Sequence, residues 1–163
     1  MNNKVEAHAK YIKLLALDVD GVLTDGSLYY GPNGETIKKF HVHDGAGIKA
    51  VLEVGIRVAV ISSRETAIVT NRMNELGVLD VLQGITDKFN ALSHLIKKIG
   101  IELNSVAYMG DDIADLQIMQ NVGLAITVKN GQKKAKQNAD YCTEAKGGHG
   151  AVREICNILL MNR

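Results

Sequence analysis

The chain is poor in cysteine, proline and net charge, and each shortage excludes a class of protein. There are two cysteines, Cys142 and Cys156, with no Cys-x-x-Cys spacing, so neither a disulfide framework nor a zinc knuckle is expected; they read as free cytoplasmic thiols. The single proline, Pro32, lies in Gly31-Pro32-Asn33-Gly34, a turn. A formal charge of +1 with scattered Lys and Arg gives no electrostatic footprint for nucleic acid. No apolar run approaches the ~20 residues of a membrane span, and the first such run is broken by Asp18. Internal repeats, low-complexity tracts and long linkers are also missing. The 163 residues are read as one domain over 1–163, soluble and cytoplasmic, with an ordinary hydrophobic core.

Apolar runs of strand length stand at 12–17, 57–61, 106–109 and 124–127, with a weaker one at 81–82. Between them, apolar residues at three- and four-residue spacing predict helices over 47–53, 66–76, 89–99, 113–120, 132–138 and 151–161. Gly55, Gly77 and Gly100 follow three of these, where a left-handed cap is expected. Strand–helix alternation predicts an α/β fold, a doubly wound parallel sheet of Rossmann-like form. One segment departs from it: residues 27–30 and 36–41 flank the proline turn and read as an inserted β-hairpin. No stretch remains for a cap domain, so a site at the sheet edge lies open unless a neighbouring subunit covers it.

Carboxylates gather at two strand exits. Asp18-Val19-Asp20-Gly21 follows the first strand, and Gly110-Asp111-Asp112-Ile113-Ala114-Asp115 follows the run at 106–109. Asp and Gly at one strand exit are ordinary turn formers. Two acid-rich exits in one α/β chain point instead to a single site at the carboxyl edge of the sheet. The five acids repel one another without a cation, and hard oxygen donors with no His or Cys beside them favour Mg²⁺. Two further residues fit a phosphate. Ser62 follows the strand at 57–61, where a lone Ser would cap a helix; Lys88 opens the helix after Thr86-Asp87, where the dipole disfavours a cation.

Asp-x-Asp, Ser, Lys and Gly-Asp-Asp-x-x-Asp, in that order, resemble the haloacid-dehalogenase superfamily of phosphatases over nearly all of residues 18–115. The resemblance implies that Asp18 is the nucleophile, forming an aspartyl-phosphate, and Asp20 the general acid and base. It implies Mg²⁺ on the Asp18 carboxylate, the Asp20 carbonyl and Asp111, with Ser62, the Ser63 N–H and Lys88 on the phosphoryl oxygens. Asp112 and Asp115 would orient water or Lys88. A receiver domain of two-component signalling also joins acids, a Ser/Thr and a Lys, but there the Lys comes last.

Within the superfamily, the hairpin, Asp44-Gly45-Ala46-Gly47-Ile48 and the tail Gly147-Gly148-His149-Gly150 are similar to the 3-deoxy-D-manno-octulosonate 8-phosphate phosphatase family. That likeness implies a role in lipopolysaccharide precursor synthesis and a homotetramer in which subunits wall off one another's sites. It places substrate contacts on His41, Val42, His43, Asp44, Gly45, Lys49, Arg64 and Arg72; guanidinium and ammonium groups suit a sugar acid. His41 and His43, two apart on a strand, share a face, yet no third zinc ligand accompanies them. The chain departs from the family at Ser63, commonly Gly, and at His149, commonly Arg. Arg64 favours the eight-carbon substrate over nine-carbon keto-acid phosphates, and His149 leaves that choice open. The glycine-rich tail is expected to be flexible enough to close over a substrate.

Overall fold

In the central strands, consecutive aliphatics point to opposite faces and both faces are covered. Leu15, Leu17, Val58, Val60, Ala107, Met109, Leu124 and Ile126 belong to one buried cluster. Leu14, Ala16, Ala59, Ile61, Val106, Tyr108 and Ala125 belong to the other. Strands apolar on both sides can be satisfied only between two helical layers. The computed structural model, which describes residues 3–162, has that architecture.

Helix α1 (Asn3–Ala9) leads into β1 (Leu14–Leu17), and a hairpin of β2 (Tyr29–Gly31) and β3 (Gly34–Ile37) follows. The remaining elements alternate: α2 (Val42–Glu53), β4 (Arg57–Ile61), α3 (Ala67–Leu76), β5 (Asp80–Leu82), α4 (Lys88–Ile99), β6 (Val106–Met109), α5 (Leu116–Met119), β7 (Leu124–Thr127), α6 (Lys133–Asn138), β8 (Tyr141–Cys142) and α7 (Ala151–Met161). The main sheet has the order β5-β4-β1-β6-β7-β8, every pair parallel. Val5, Ile48, Met73 and Ile155 bring α1, α2, α3 and α7 to one face. Leu92, Ile118 and Ala135 bring α4, α5 and α6 to the other. The chain winds outward from β1 to β4 and β5, then crosses back to β6, so β1 is the switch point where such sheets bind ligands.

The expected strands at 57–61, 106–109 and 124–127 and the helix at 151–161 coincide with β4, β6, β7 and α7. Gly55, Gly77 and Gly100 take the left-handed conformation, with φ of 83°, 80° and 72°. Three readings change. Helix α2 starts at Val42 rather than 47, because the glycines that weaken its propensity are needed for packing: a Cβ on Gly45 would lie 2.4 Å from Arg72, and one on Gly47 3.1 Å from Cys156. His41 therefore caps α2 and His43 sits in its first turn, so they share no strand face; their rings meet edge to face at 5.0 Å. The helix expected over 113–120 is a 3₁₀ turn, Ile113–Asp115, followed by the short α5. Helix α1 and the two-residue β8 were not anticipated, being too short for a periodic signal. Among the described residues no helix is long and apolar enough to cross a membrane.

Candidate active site

Leu17 pairs with Val60 of β4 and Met109 of β6, so the residues that follow each strand emerge side by side. Asp18, Asp20, Ser62, Ser63, Arg64, Lys88, Asp111, Asp112 and Ala114 line a cleft of about 190 Å³ there. Four separate stretches of sequence are thereby joined at one sheet edge.

Asp18 is buried and fixed by backbone: its N–H donates to the Met109 carbonyl at 3.0 Å, and its Oδ1 accepts the Val19 N–H at 2.7 Å. Its other oxygen, Oδ2, lies 2.9 Å from Lys88 Nζ. Lys88 also donates to Asp115 Oδ1 at 2.7 Å. Asp115 is fully buried and saturated: Oδ1 also accepts the Tyr108 hydroxyl at 2.6 Å, and Oδ2 accepts the N–H groups of Asp111 and Asp112 at 3.0 and 3.1 Å. One carboxylate thus holds the lysine and shapes the loop that presents Asp111. Asp112 lies at the mouth, and its Oδ1 accepts the Ile113 N–H at 2.7 Å to cap the 3₁₀ turn.

Close approach at this edge demands glycine. A Cβ on Gly21, which has φ 92°, would lie 2.2 Å from Asp111 Oδ2, so the backbone after Asp20 runs directly against that carboxylate. A Cβ on Gly147 would lie 1.7 Å from the Gly21 carbonyl oxygen. The Gly148 N–H donates to Val22 O at 2.9 Å, and the Gly147 N–H to Asn130 Oδ1 at 2.9 Å. The expected flexible tail is therefore packed against the Asp18–Asp20 loop, with Gly147 and Gly148 buried and His149 exposed. His149 Nδ1 lies 2.8 Å from the Gly147 carbonyl.

The crowding of acids has an electrostatic signature. Burial and then the charge of Asp115 push Asp18 up to about 6, against the opposing pull of Lys88. Burial and then Asp18 push Asp111 up to about 7. Burial alone would lower Lys88, but Asp18 and Asp115 hold it above the ordinary lysine value. Burial, with Asp115 adding to it, raises Tyr108 well above a free phenol, so it stays a donor. Carboxylate oxygens of Asp18, Asp111 and Asp115 all lie within 4.8 Å of one another. The lone pairs of Asp115 are already used, which leaves Asp18, Asp111 and the adjacent backbone as the oxygen donors that suit a hard divalent cation.

Asp20 is held from the hairpin side. Lys38 Nζ donates to its Oδ1 and lies 2.9 Å from Glu35 Oε1, with the lysine side chain 1% exposed. Arg64 approaches Asp20 Oδ2 at 3.7 Å and Glu35 Oε2 at 3.4 Å, and donates to the Tyr30 hydroxyl at 2.9 Å. Lys38 and Arg64 outweigh burial to hold Glu35 below the usual carboxylate range. Lys38, Glu35 and Tyr108 were missed by sequence reasoning; the i, i+3 spacing of Glu35 and Lys38 was the available signal.

The remaining expected contacts lie away from the cleft lining. The buried Asp44 carboxylate accepts the Arg153 N–H at 2.7 Å and the Gly150 N–H at 3.3 Å, so it caps α7. Burial raises its pKa against those two bonds. Arg72 pairs with Glu75 at 2.8 Å and lies over Gly45. Lys49 lines a different groove with Leu52 and Asn74. His41 is half-buried, while Val42 and His43 are exposed at the start of α2.

Comparison with known proteins accounts for this arrangement. Residues 61–155 match the haloacid dehalogenase-like hydrolase family. The chain is 45% identical over 157 residues, 96% of this chain and 84% of the relative, to 3-deoxy-D-manno-octulosonate 8-phosphate phosphatase of Escherichia coli K12. The corresponding protein of Salmonella typhi is 44% identical over 161 residues, 99% of this chain and 86% of that one. The crystal structure of the Moraxella catarrhalis phosphatase, in complex with magnesium ion, phosphate ion and KDO, superposes with a TM-score of 0.97 at 44% identity, covering 100% of this chain and 94% of that one. The signalling-receiver alternative falls away, since motif order, fold and relatives agree on a hydrolase. The chain belongs to the haloacid dehalogenase-like hydrolases, in the family of the 3-deoxy-D-manno-octulosonate 8-phosphate phosphatases.

Proposed function

We propose that this chain is a Mg²⁺-dependent phosphoric monoester hydrolase acting on 3-deoxy-D-manno-octulosonate 8-phosphate in lipopolysaccharide precursor synthesis. The observation that carries it is the convergence of Asp18, Asp20, Ser62, Lys88 and Asp111 on one cleft. An Asp18 oxygen attacks phosphorus, and the bond from phosphorus to the sugar oxygen breaks. Asp20 gives its proton to that leaving oxygen. Asp20 then takes a proton from water as the water oxygen attacks phosphorus, releasing phosphate and restoring the Asp18 carboxylate. Ser62, the Ser63 N–H and Lys88 hold the phosphoryl oxygens. Asp18, Asp111 and the Asp20 carbonyl would hold Mg²⁺, which when bound neutralises charge between nucleophile and phosphate. Asp115 orients Lys88, and Asp112 caps the turn that presents Asp111.

The sugar acid lies towards Arg64 and the start of α2, with His41, Val42, His43, Gly45, Lys49 and Arg72 as further contacts and Asp44 holding that helix start against α7. Leu28, Tyr29, Tyr30 and Ile37 are exposed on the hairpin and support a homotetramer in which hairpins pack together and enclose the sites. A cytoplasmic location agrees with two free thiols, Cys142 and Cys156. The test is phosphate release with Mg²⁺ over a panel of sugar phosphates that includes the eight- and nine-carbon keto acids. The eight-carbon substrate is expected to give the highest kcat/KM. A higher value for the nine-carbon acid would overturn the substrate, and no Mg²⁺-dependent release from any phosphate would overturn the activity.

A further inference from the structure

Lys38 is placed against the default for a hairpin lysine. The neighbouring Lys39 follows that default: its side chain is 51% exposed and pairs at the surface with Asp25 at 2.8 Å. Lys38, one residue earlier, has a side chain only 1% exposed and spans two carboxylates, Asp20 and Glu35. Ordering a lysine side chain costs ~2 kcal/mol of rotamer entropy, and burying its charge adds to that cost. The two-stranded pairing of β2 and β3 does not need this side chain, because it rests on backbone bonds of residues 29–37. The placement therefore points to Asp20.

We infer that Lys38 is a positioning residue for the acid–base step, fixing the Asp20 carboxylate by Oδ1 so that Oδ2 carries the proton to the leaving oxygen. An ammonium has donors only, so the proton on Asp20 cannot occupy the oxygen facing Lys38. Arg64 Nε lies 3.7 Å from Oδ2, beyond hydrogen-bond reach, so Arg64 leaves that oxygen free to carry the proton. Glu35 holds Lys38 from the other side, Arg64 reaches Glu35 Oε2 at 3.4 Å, and Arg64 in turn donates to the Tyr30 hydroxyl. The hairpin is thus wired to the step that expels the sugar. This inference rests on the reading of Asp20 as general acid and base.

The experiment measures first-turnover rates of the Mg²⁺-loaded full chain on two substrates, the sugar-acid phosphate and 4-nitrophenyl phosphate. The sugar alkoxide needs a proton to leave; 4-nitrophenolate does not. Lys38→Met is expected to slow the first turnover on the sugar phosphate by roughly 10- to 100-fold, within the range of general-acid effects. On 4-nitrophenyl phosphate it should fall less than about 3-fold, and KM for both should change little. Lys38→Arg should recover much of the loss, and Glu35→Gln should show the same selectivity in milder form. Equal slowing on both substrates, or a change in KM alone, would overturn the inference and make Lys38 a binding or structural residue. Should Lys38→Met not fold, Glu35→Gln and Lys38→Arg decide it by the same ratio. Asp20→Asn is the reference: if it shows no leaving-group selectivity, the acid–base reading itself fails, whereas a selective Asp20→Asn beside an unselective Lys38→Met sinks only the role of Lys38.

Discussion

The site contains two buried lysines in matching settings, each between two carboxylates, and the difference lies in what stands behind them. Lys88 spans Asp18 and Asp115; Lys38 spans Asp20 and Glu35. Behind Lys88, Asp115 is locked by the core tyrosine Tyr108 and two backbone N–H groups on the carboxyl edge of a six-stranded sheet. Behind Lys38, Glu35 stands on a two-stranded hairpin whose other support is the partly exposed Arg64. A lone hairpin is marginally stable, whereas a sheet edge buried on both faces moves only with the core. The Asp18–Lys88 half of the site, proposed to handle the phosphoryl group, is therefore rigid by construction, and the Asp20–Lys38 half, proposed to handle the leaving group, can adjust with the hairpin.

The sharpest break would come at Asp18, the proposed nucleophile. Asp18→Asn should lower kcat by more than about 10³-fold on every phosphate, including 4-nitrophenyl phosphate, with the fold intact by circular dichroism. Retained turnover above about 1% would remove Asp18 from the centre of the rigid half. Stability separates the halves next. Asp115→Asn strips a buried, saturated carboxylate and should destabilise by ~3–5 kcal/mol in urea unfolding. Glu35→Gln should cost only about 1 kcal/mol, since the hairpin relaxes around it. Similar losses for both would show that the hairpin half is as firmly built as the sheet half.

Smaller effects concern the surroundings. Glu at Tyr29 and Tyr30 together should dissociate the proposed homotetramer in sedimentation and weaken sugar discrimination more than hydrolysis of 4-nitrophenyl phosphate. An active, equally selective monomer would detach the hairpin from specificity. The smallest expected effect is a pH-dependent stabilisation by Mg²⁺. Asp18 and Asp111 are raised from 3.8 to about 6 and about 7 in the folded chain, so the fold binds their protons more tightly than the unfolded chain does. Their contribution is most favourable below pH ~4 and is lost as pH rises through 6 and 7. A cation binds the ionised pair, so Mg²⁺ should raise the melting temperature of metal-free protein more at pH 8 than at pH 5. Equal shifts at the two pH values would separate the acid cluster from the metal.

Local pattern carried most of the fold and the rigid half of the site. Strands β4, β6 and β7 were legible because both faces are apolar, and Asp18 and Asp111 because two strand exits in one chain are acid-rich; Lys88 stood out at a helix start that disfavours a cation, and Ser62 only by its place in the order of motifs. The start of α2 was misread because Gly45 and Gly47 lower helix propensity, while the tight packing that requires them exists only once Arg72 and Cys156 are in place. The tail was misread for a related reason: glycines that suggest mobility in a sequence are here the only residues small enough to lie on the Gly21 carbonyl.

Sequence alone determined the alternation of strand and helix, the two acid-rich strand exits and the hairpin, because each is a matter of neighbours along the chain and of side-chain period. Only the tertiary structure decided that Asp115 is consumed in holding Lys88, that Asp44 caps α7 across the fold, and that Lys38 rather than Lys39 turns inward to Asp20. These pairings join residues 27, 109 and 18 apart in the chain, two of them charge to charge and the Asp44 one a carboxylate to a backbone N–H. Which partner a buried charge finds depends on where the folded backbone leaves it room and no water, and a one-dimensional pattern does not hold that information.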